Sequence, residues 1–70
     1  MNEELVLTLE KEVMKRKRVA AEWAGRLHDL AEERLPEGFS EIHEIAEGTF
    51  NACQAWQQAA EALKAAKGGG

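Results

Sequence analysis

The sequence predicts an all-α protein, an antiparallel two-helix hairpin that assembles into a four-helix bundle. Two long stretches rich in helix-forming residues lie on either side of the single proline. In both stretches, apolar residues recur at alternating intervals of three and four, the spacing of packed helices. A chain of 70 residues forms at most one domain, and such a core stabilises it by only about 3 to 5 kcal/mol. We therefore expect a homodimer, with a tetramer as the alternative.

Residues 1–67 are predicted to form a single hairpin. The first helix is expected at about residues 3–34, where Gly25 is the one poor helix former. The turn is expected at about residues 35–39, because the residue before a proline is pushed out of the helical region. The second helix is expected at about residues 40–67 with Ser40 as its N-cap. Glycines 68–70 are expected to form a flexible tail.

The heptad positions of the two helices pair in a register centred on Pro36, so that they form one seam between the helices. In this register Arg16 lies in the layer of Trp56 and is expected to stack on its ring. Trp23 falls on the seam as well, and core packing is the expected role of both tryptophans. The predicted core and oligomer interface comprises Leu9, Val13, Arg16, Trp23, Leu27, Leu30, Ile42, Ile45, Phe50, Trp56 and Leu63.

A second apolar stripe lies beside the seam on each helix. Exposed stripes of this kind usually mark a surface that binds a partner, and the simplest closed arrangement is a two-fold dimer. The stripe residues are Leu7, Met14, Ala21 and Leu35 on the first helix, and Ala46, Phe50, Cys53 and Ala60 on the second.

The charges divide the chain into an acidic turn region and a basic patch. The formal net charge is -4, which makes nucleic-acid binding an unfavoured class. The basic patch could contact an RNA backbone or an acidic partner, or it could be a solvated helix face with intrahelical partners such as Glu12. The patch comprises Lys11, Lys15, Arg16, Lys17 and Arg18.

His28, His43 and Glu47 are the candidate ligands for a metal. The two histidines lie at similar distances on either side of Pro36, and each has a carboxylate four residues further on. They could bind a divalent transition metal weakly, although two solvated histidines are the simpler interpretation because no compact metal motif is present. No other cofactor is expected.

Two further classes are disfavoured by the sequence. No nucleophile lies beside a base and no cleft is evident in a bundle of heptad seams, so an enzyme is not predicted. The N-terminus is acidic and its apolar run is too short for a signal peptide or a membrane span. A cytoplasmic protein without membrane contact is the expectation.

Three segments carry a family resemblance. The runs "LHDLAE", "LPEGFSEIHEIAEGTF" and "AEALKAA" within residues 27–66 resemble the small Rop-like proteins found with nitrogen-fixation genes in diazotrophic bacteria. Matching residues are His28, Asp29, Pro36, Ile42, Ala46 and Phe50. The chain departs from the pattern at Glu33 and Arg34, which precede the Leu-Pro pair, at Phe39, where a tryptophan is expected, and at Cys53.

The resemblance implies a hairpin that assembles into four-helix bundles, and a role in nitrogenase maturation or support. The predicted function is a non-enzymatic assembly or adaptor protein that binds a nitrogenase-related protein through the bundle surface. Two alternatives stay open. One is RNA binding in the manner of the plasmid regulator Rop, and the other is weak metal binding through the two histidines.

Overall fold

The computed structural model describes residues 3–68 as two long helices joined by a short turn. Helix α1 spans Glu3–Glu33, a 3₁₀ turn spans Phe39–Glu41, and helix α2 spans Ile42–Ala66. The helices pack side by side along most of their length in a hairpin of 53 × 16 × 14 Å. The predicted all-α hairpin is confirmed. Predictions for residues 1, 2, 69 and 70 lie outside the described residues.

The turn is closed by backbone hydrogen bonds rather than by a side-chain cap. The amide of Gly38 donates to the carbonyl of Arg34 at 2.6 Å, and the amide of Glu41 donates to the carbonyl of Gly38 at 2.9 Å. The expectation that Ser40 caps the second helix is wrong, because the 3₁₀ turn includes Ser40 and Glu41 takes the N-cap position without a side-chain hydrogen bond. The backbone amides at the start of the second helix, which have no partner within that helix, are satisfied by the hydrogen bonds of the 3₁₀ turn instead of by a side chain.

Gly38 allows the turn to lie close to the end of α1. A Cβ atom at this position would lie 2.9 Å from Leu30 Cδ1 and 2.9 Å from the carbonyl oxygen of Arg34. Leu30 is the most completely buried large side chain among the described residues, with 1% exposed. A glycine is needed here for close approach, and the turn therefore covers one end of the core.

The seam positions face each other but are only partly enclosed. Ala20, Leu30 and Ile45 are buried, whereas most of the other seam residues are half-buried and Ile42 is 39% exposed. The half-buried residues include Leu9, Val13, Trp23, Leu27, Trp56 and Leu63. Since a core residue in a closed domain is normally surrounded on all sides, one hairpin supplies only part of a core.

Two expected details of the seam differ in the structure. Arg16 binds Glu12 of its own helix, with Nε 2.6 Å from the carboxylate oxygen, so it is not held against Trp56 as expected. Within residues 3–68 the cation–π contact joins Arg26 to Trp23 instead, with the guanidinium carbon 4.8 Å from the ring centroid. An acid four residues away on the same helix reaches Arg16 more easily than a ring on the other helix does.

Candidate interaction surfaces

One side of the hairpin presents the apolar stripes of both helices to solvent. Leu7 is 57% exposed, Met14 70% and Phe50 66%. We call this side the apolar face, and it comprises Leu7, Met14, Ala21, Ala46, Phe50, Cys53 and Ala60, all of them exposed.

A salt bridge shows that the two stripes lie on the same side. Lys67 Nζ lies 3.5 Å from a carboxylate oxygen of Glu10. Lys67 continues the α2 stripe, at a seven-residue interval from Ala60, and Glu10 lies about one turn from Leu7. A shallow groove at the open end of the hairpin is also lined by Leu7, Glu10 and Lys67. The two stripes therefore lie on the same side of the hairpin.

A second groove lies near the turn, and we call it the tip groove. It has a volume of about 390 Å³. Its lining residues belong to both helices and to the 3₁₀ turn, and they are Trp23, Arg26, Asp29, Glu33, Arg34, Glu41, Glu44 and Ile45. Half of these residues are acidic, so the groove is an acidic depression whose apolar part comes from Trp23 and Ile45.

Arg34 and Glu41 close the end of the tip groove next to the turn. Arg34 Nη1 and Nη2 donate to the two carboxylate oxygens of Glu41 at 3.0 and 2.8 Å. The hydrogen bond to Glu41 raises the pKa of Arg34, and the negative charges of Glu41 and Asp29 act in the same direction. This paired geometry ties the end of α1 to the start of the second helical segment.

The basic patch lies on exposed turns of α1 in the half of the hairpin away from the turn. Lys11, Lys15, Lys17 and Arg18 are exposed and form no ion pair with a carboxylate of residues 3–68, whereas Arg16 is engaged by Glu12. The four unpaired cations therefore present positive charge directly to solvent.

The candidate metal ligands do not come together within one hairpin. His28 Nε2 contacts the carboxylate of Glu32, as its spacing suggests, and its Nδ1 lies 3.8 Å from Asp29. Among the described residues, no three His, Cys, Asp or Glu side chains are close enough to hold a metal ion. His28, His43 and Glu47 thus do not form a site in a single chain, and a site shared between copies stays a prediction.

The fold and these surfaces define a class, the small helical-hairpin proteins. A family model described as Rop-like matches residues 4–68, so the chain belongs to the Rop-like family. The match includes the part of α1 before Gly25, which lies outside the residues 27–66 that carry the resemblance in the sequence. No curated protein and no solved structure was found to match the chain.

The family is not known for an enzymatic activity. No helix within residues 3–68 is long and apolar enough to cross a membrane.

Sequence reasoning missed the tip groove because it treated Trp23 only as a core residue. The groove depends on Arg26, Glu33 and Glu41, none of which is a seam position. A signal was present, since Arg26 and Glu33 are seven residues apart and so lie on one face of α1. The sequence alone does not show that the same face meets Glu41 across the turn.

Proposed function

We propose that this protein is a non-enzymatic assembly or adaptor protein that forms a homodimeric four-helix bundle and binds a protein partner on the remaining surface. The observation on which this rests is the apolar face. It contains exposed apolar residues of both helices, and it lies beside a seam that one hairpin leaves partly open.

Exposed apolar area favours association because its burial removes that area from water. Phe50 and Met14 are large side chains with more than half of their surface in solvent, so covering them gains more than covering the neighbouring alanines does. A second hairpin placed on this face would also enclose the half-buried seam residues. Self-association thus completes the core that the single chain lacks.

The size of the face fits a stable dimer. The hairpin is 53 Å long and 16 Å wide, which corresponds to a face of about 850 Å². Specific interfaces of standard size bury about 800 Å² per partner. One whole side of the hairpin is therefore comparable in size to a standard interface.

Sedimentation equilibrium of the purified chain tests the self-association. We expect a mass of twice the 7.8 kDa of one chain at micromolar concentration. Phe50→Asp should weaken the dimer at least about tenfold, because it places a charge within the apolar face. Phe39→Asp is the matched control, since Phe39 is 64% exposed but lies in the 3₁₀ turn. A monomeric parent protein would contradict the proposal.

The cellular context is proposed to be nitrogen fixation, and it is supported by the resemblance of residues 27–66 alone. Affinity capture with the tagged protein from extract of nitrogen-fixing cells tests it. We expect a nitrogenase component or a cofactor-assembly protein to be enriched over a capture with an unrelated hairpin. If no such protein is captured, the result would contradict a role in nitrogen fixation.

RNA binding is the second candidate function, and the unpaired basic patch favours it. Four exposed cations within two turns of α1, none of them neutralised by a carboxylate of the described chain, are available to contact phosphate groups. The charge of the rest of the chain opposes this function, because residues 21–51 contain eight acidic residues and two arginines.

A further inference from the structure

We propose that the tip groove binds an arginine or lysine side chain from a basic segment of a protein partner. The inference rests on the proposed adaptor function and names the partner's chemistry. None of the residues that line the tip groove belongs to the apolar face, so a dimer formed through the apolar face leaves the groove accessible.

The aromatic ring of Trp23 in the groove already contacts a guanidinium group of the chain itself. Trp23 is pressed against α2, where its ring atoms lie within 2.6 Å of the position that a Cβ of residue 48 would take. Its ring is contacted by the guanidinium of Arg26 at 4.8 Å. The chain's own arginine thus occupies the aromatic surface in the way that an arginine from a partner would, because the negative face of the indole ring attracts cations.

The rim of the groove has acidic groups that the chain itself does not neutralise. Glu33 and Glu44 form no ion pair within residues 3–68, whereas Asp29 has His28 Nδ1 at 3.8 Å and also attracts the charge of Arg34. The two cations of the groove are already engaged, Arg34 by Glu41 and Arg26 by Trp23. The groove therefore combines carboxylates that have no ion-pair partner with apolar side chains. Arginine and lysine match this combination, because each has a positive charge at the end of an aliphatic chain.

Charge beyond the groove favours the same partner. The tip half of the hairpin, residues 21–51, has eight acidic residues against two arginines, whereas the remainder of the chain has five acidic and seven basic residues. A basic segment is attracted to the tip half before it makes contact, and the unpaired lysines of α1 repel it from the other half. The partner is therefore expected to bind at the turn end of the bundle.

The test uses the full chain labelled with ¹⁵N and an alanine-based peptide of about 16 residues with arginine at every fourth position. A peptide with citrulline in place of arginine keeps the shape and removes the charge. We expect the arginine peptide to shift the Trp23 indole signal and the amide signals of Glu44 and Ile45, and we expect the citrulline peptide to leave them in place. Shifts spread evenly over both halves of the hairpin would overturn the proposal.

Variants separate the groove from general acidity. Glu33→Gln with Glu44→Gln should weaken peptide binding about tenfold. Glu4→Gln with Glu61→Gln removes the same charge at the open end and should leave the affinity unchanged. Arg26→Gln should strengthen binding about threefold, because it frees the Trp23 ring and removes a like charge. If both double variants lower the affinity for the peptide equally, or if Arg26→Gln lowers it, the result would contradict a specific site.

A second copy of the chain is the competing occupant, through its basic patch. Salt-sensitive self-association that Lys15→Glu with Lys17→Glu abolishes, and that Phe50→Asp leaves intact, would assign the groove to that patch and overturn the proposal. If the parent protein sediments as a dimer but does not bind the arginine peptide, the groove proposal is wrong and the dimer proposal stands. If the parent protein is a monomer and binds the peptide, the dimer proposal is wrong and the groove proposal stands.

Discussion

The indole ring of Trp23 lies directly against the backbone of Gly48. A Cβ atom built at position 48 would lie 2.5 Å from two atoms of that ring. Gly25, which lies at a similar level on the other helix, has no atom within 4 Å of its own Cβ position apart from its chain neighbours and the adjacent backbone of its own helix. Two glycines that look equivalent in the sequence therefore have different roles.

Gly48→Ala should destabilise the fold, because the added methyl group pushes Trp23 out of its position against α2. Overpacking of this kind typically costs about 1 to 3 kcal/mol. Urea unfolding followed by circular dichroism measures the change in the free energy of unfolding. An unchanged stability would mean that Trp23 can move aside freely.

Gly25→Ala should have the opposite effect and stabilise the fold by about 0.5 to 1 kcal/mol, because alanine favours a helix interior and the position is open. The same urea measurement is suitable, and the pair of variants serves as an internal comparison. A loss of stability would indicate that another molecule in the assembly occupies the space beside Gly25.

Arg34→Gln should lower the thermal midpoint slightly at low salt and have little effect at high salt, because the ion pair with Glu41 is exposed and screened. The pKa of Arg34 is raised in the folded state, so its contribution is present below the unfolded pKa and is lost only as the pH rises through the folded pKa.

The difference in stability between the parent and Arg34→Gln should therefore be constant between about pH 6 and pH 10. Thermal melts of both proteins across this range measure it. A difference that shrinks within this range would show that another titrating group controls the pair.

Lys15→Glu with Lys17→Glu tests RNA binding. If the basic patch contacts a phosphate backbone, the parent shifts a structured RNA in a gel and the shift weakens steeply with salt, because bound cations release counterions. The double variant should lose the shift, whereas Lys64→Glu, at the end of α2, should retain it. RNA binding that does not change with salt concentration would argue against a contact with the phosphate backbone.

Histidine substitution tests metal binding. We expect His28→Ala with His43→Ala to leave the affinity for Ni²⁺ unchanged in calorimetric titration, because no group of three donors comes together within the described hairpin. A clear loss of affinity would mean that histidines of different copies meet, and repeating the titration on Phe50→Asp would show whether that site depends on the apolar face.

The fold could be predicted because the pattern of the sequence and the geometry of a helix agree. Alternating intervals of three and four place Ala20, Leu30 and Ile45 on facing stripes, and Pro36 divides the stripes into two helices. Local details of the turn were harder to predict. Ser40 has the residue type of an N-cap, but the backbone of Gly38 and Glu41 closes the turn in a 3₁₀ form instead, and residue type alone does not distinguish the two.

The sequence by itself determined the two helices, the position of the turn and the existence of the apolar stripes, since these follow from local propensity and from the period of one helix. The tertiary structure decided which faces of the two helices meet. It placed both apolar stripes on one side, packed Trp23 on Gly48, and brought the α1 residues Arg26 and Glu33 to the same groove as Glu41. These contacts depend on the rotation and level of one helix against the other, and small shifts in either change the partners of every side chain beside the seam.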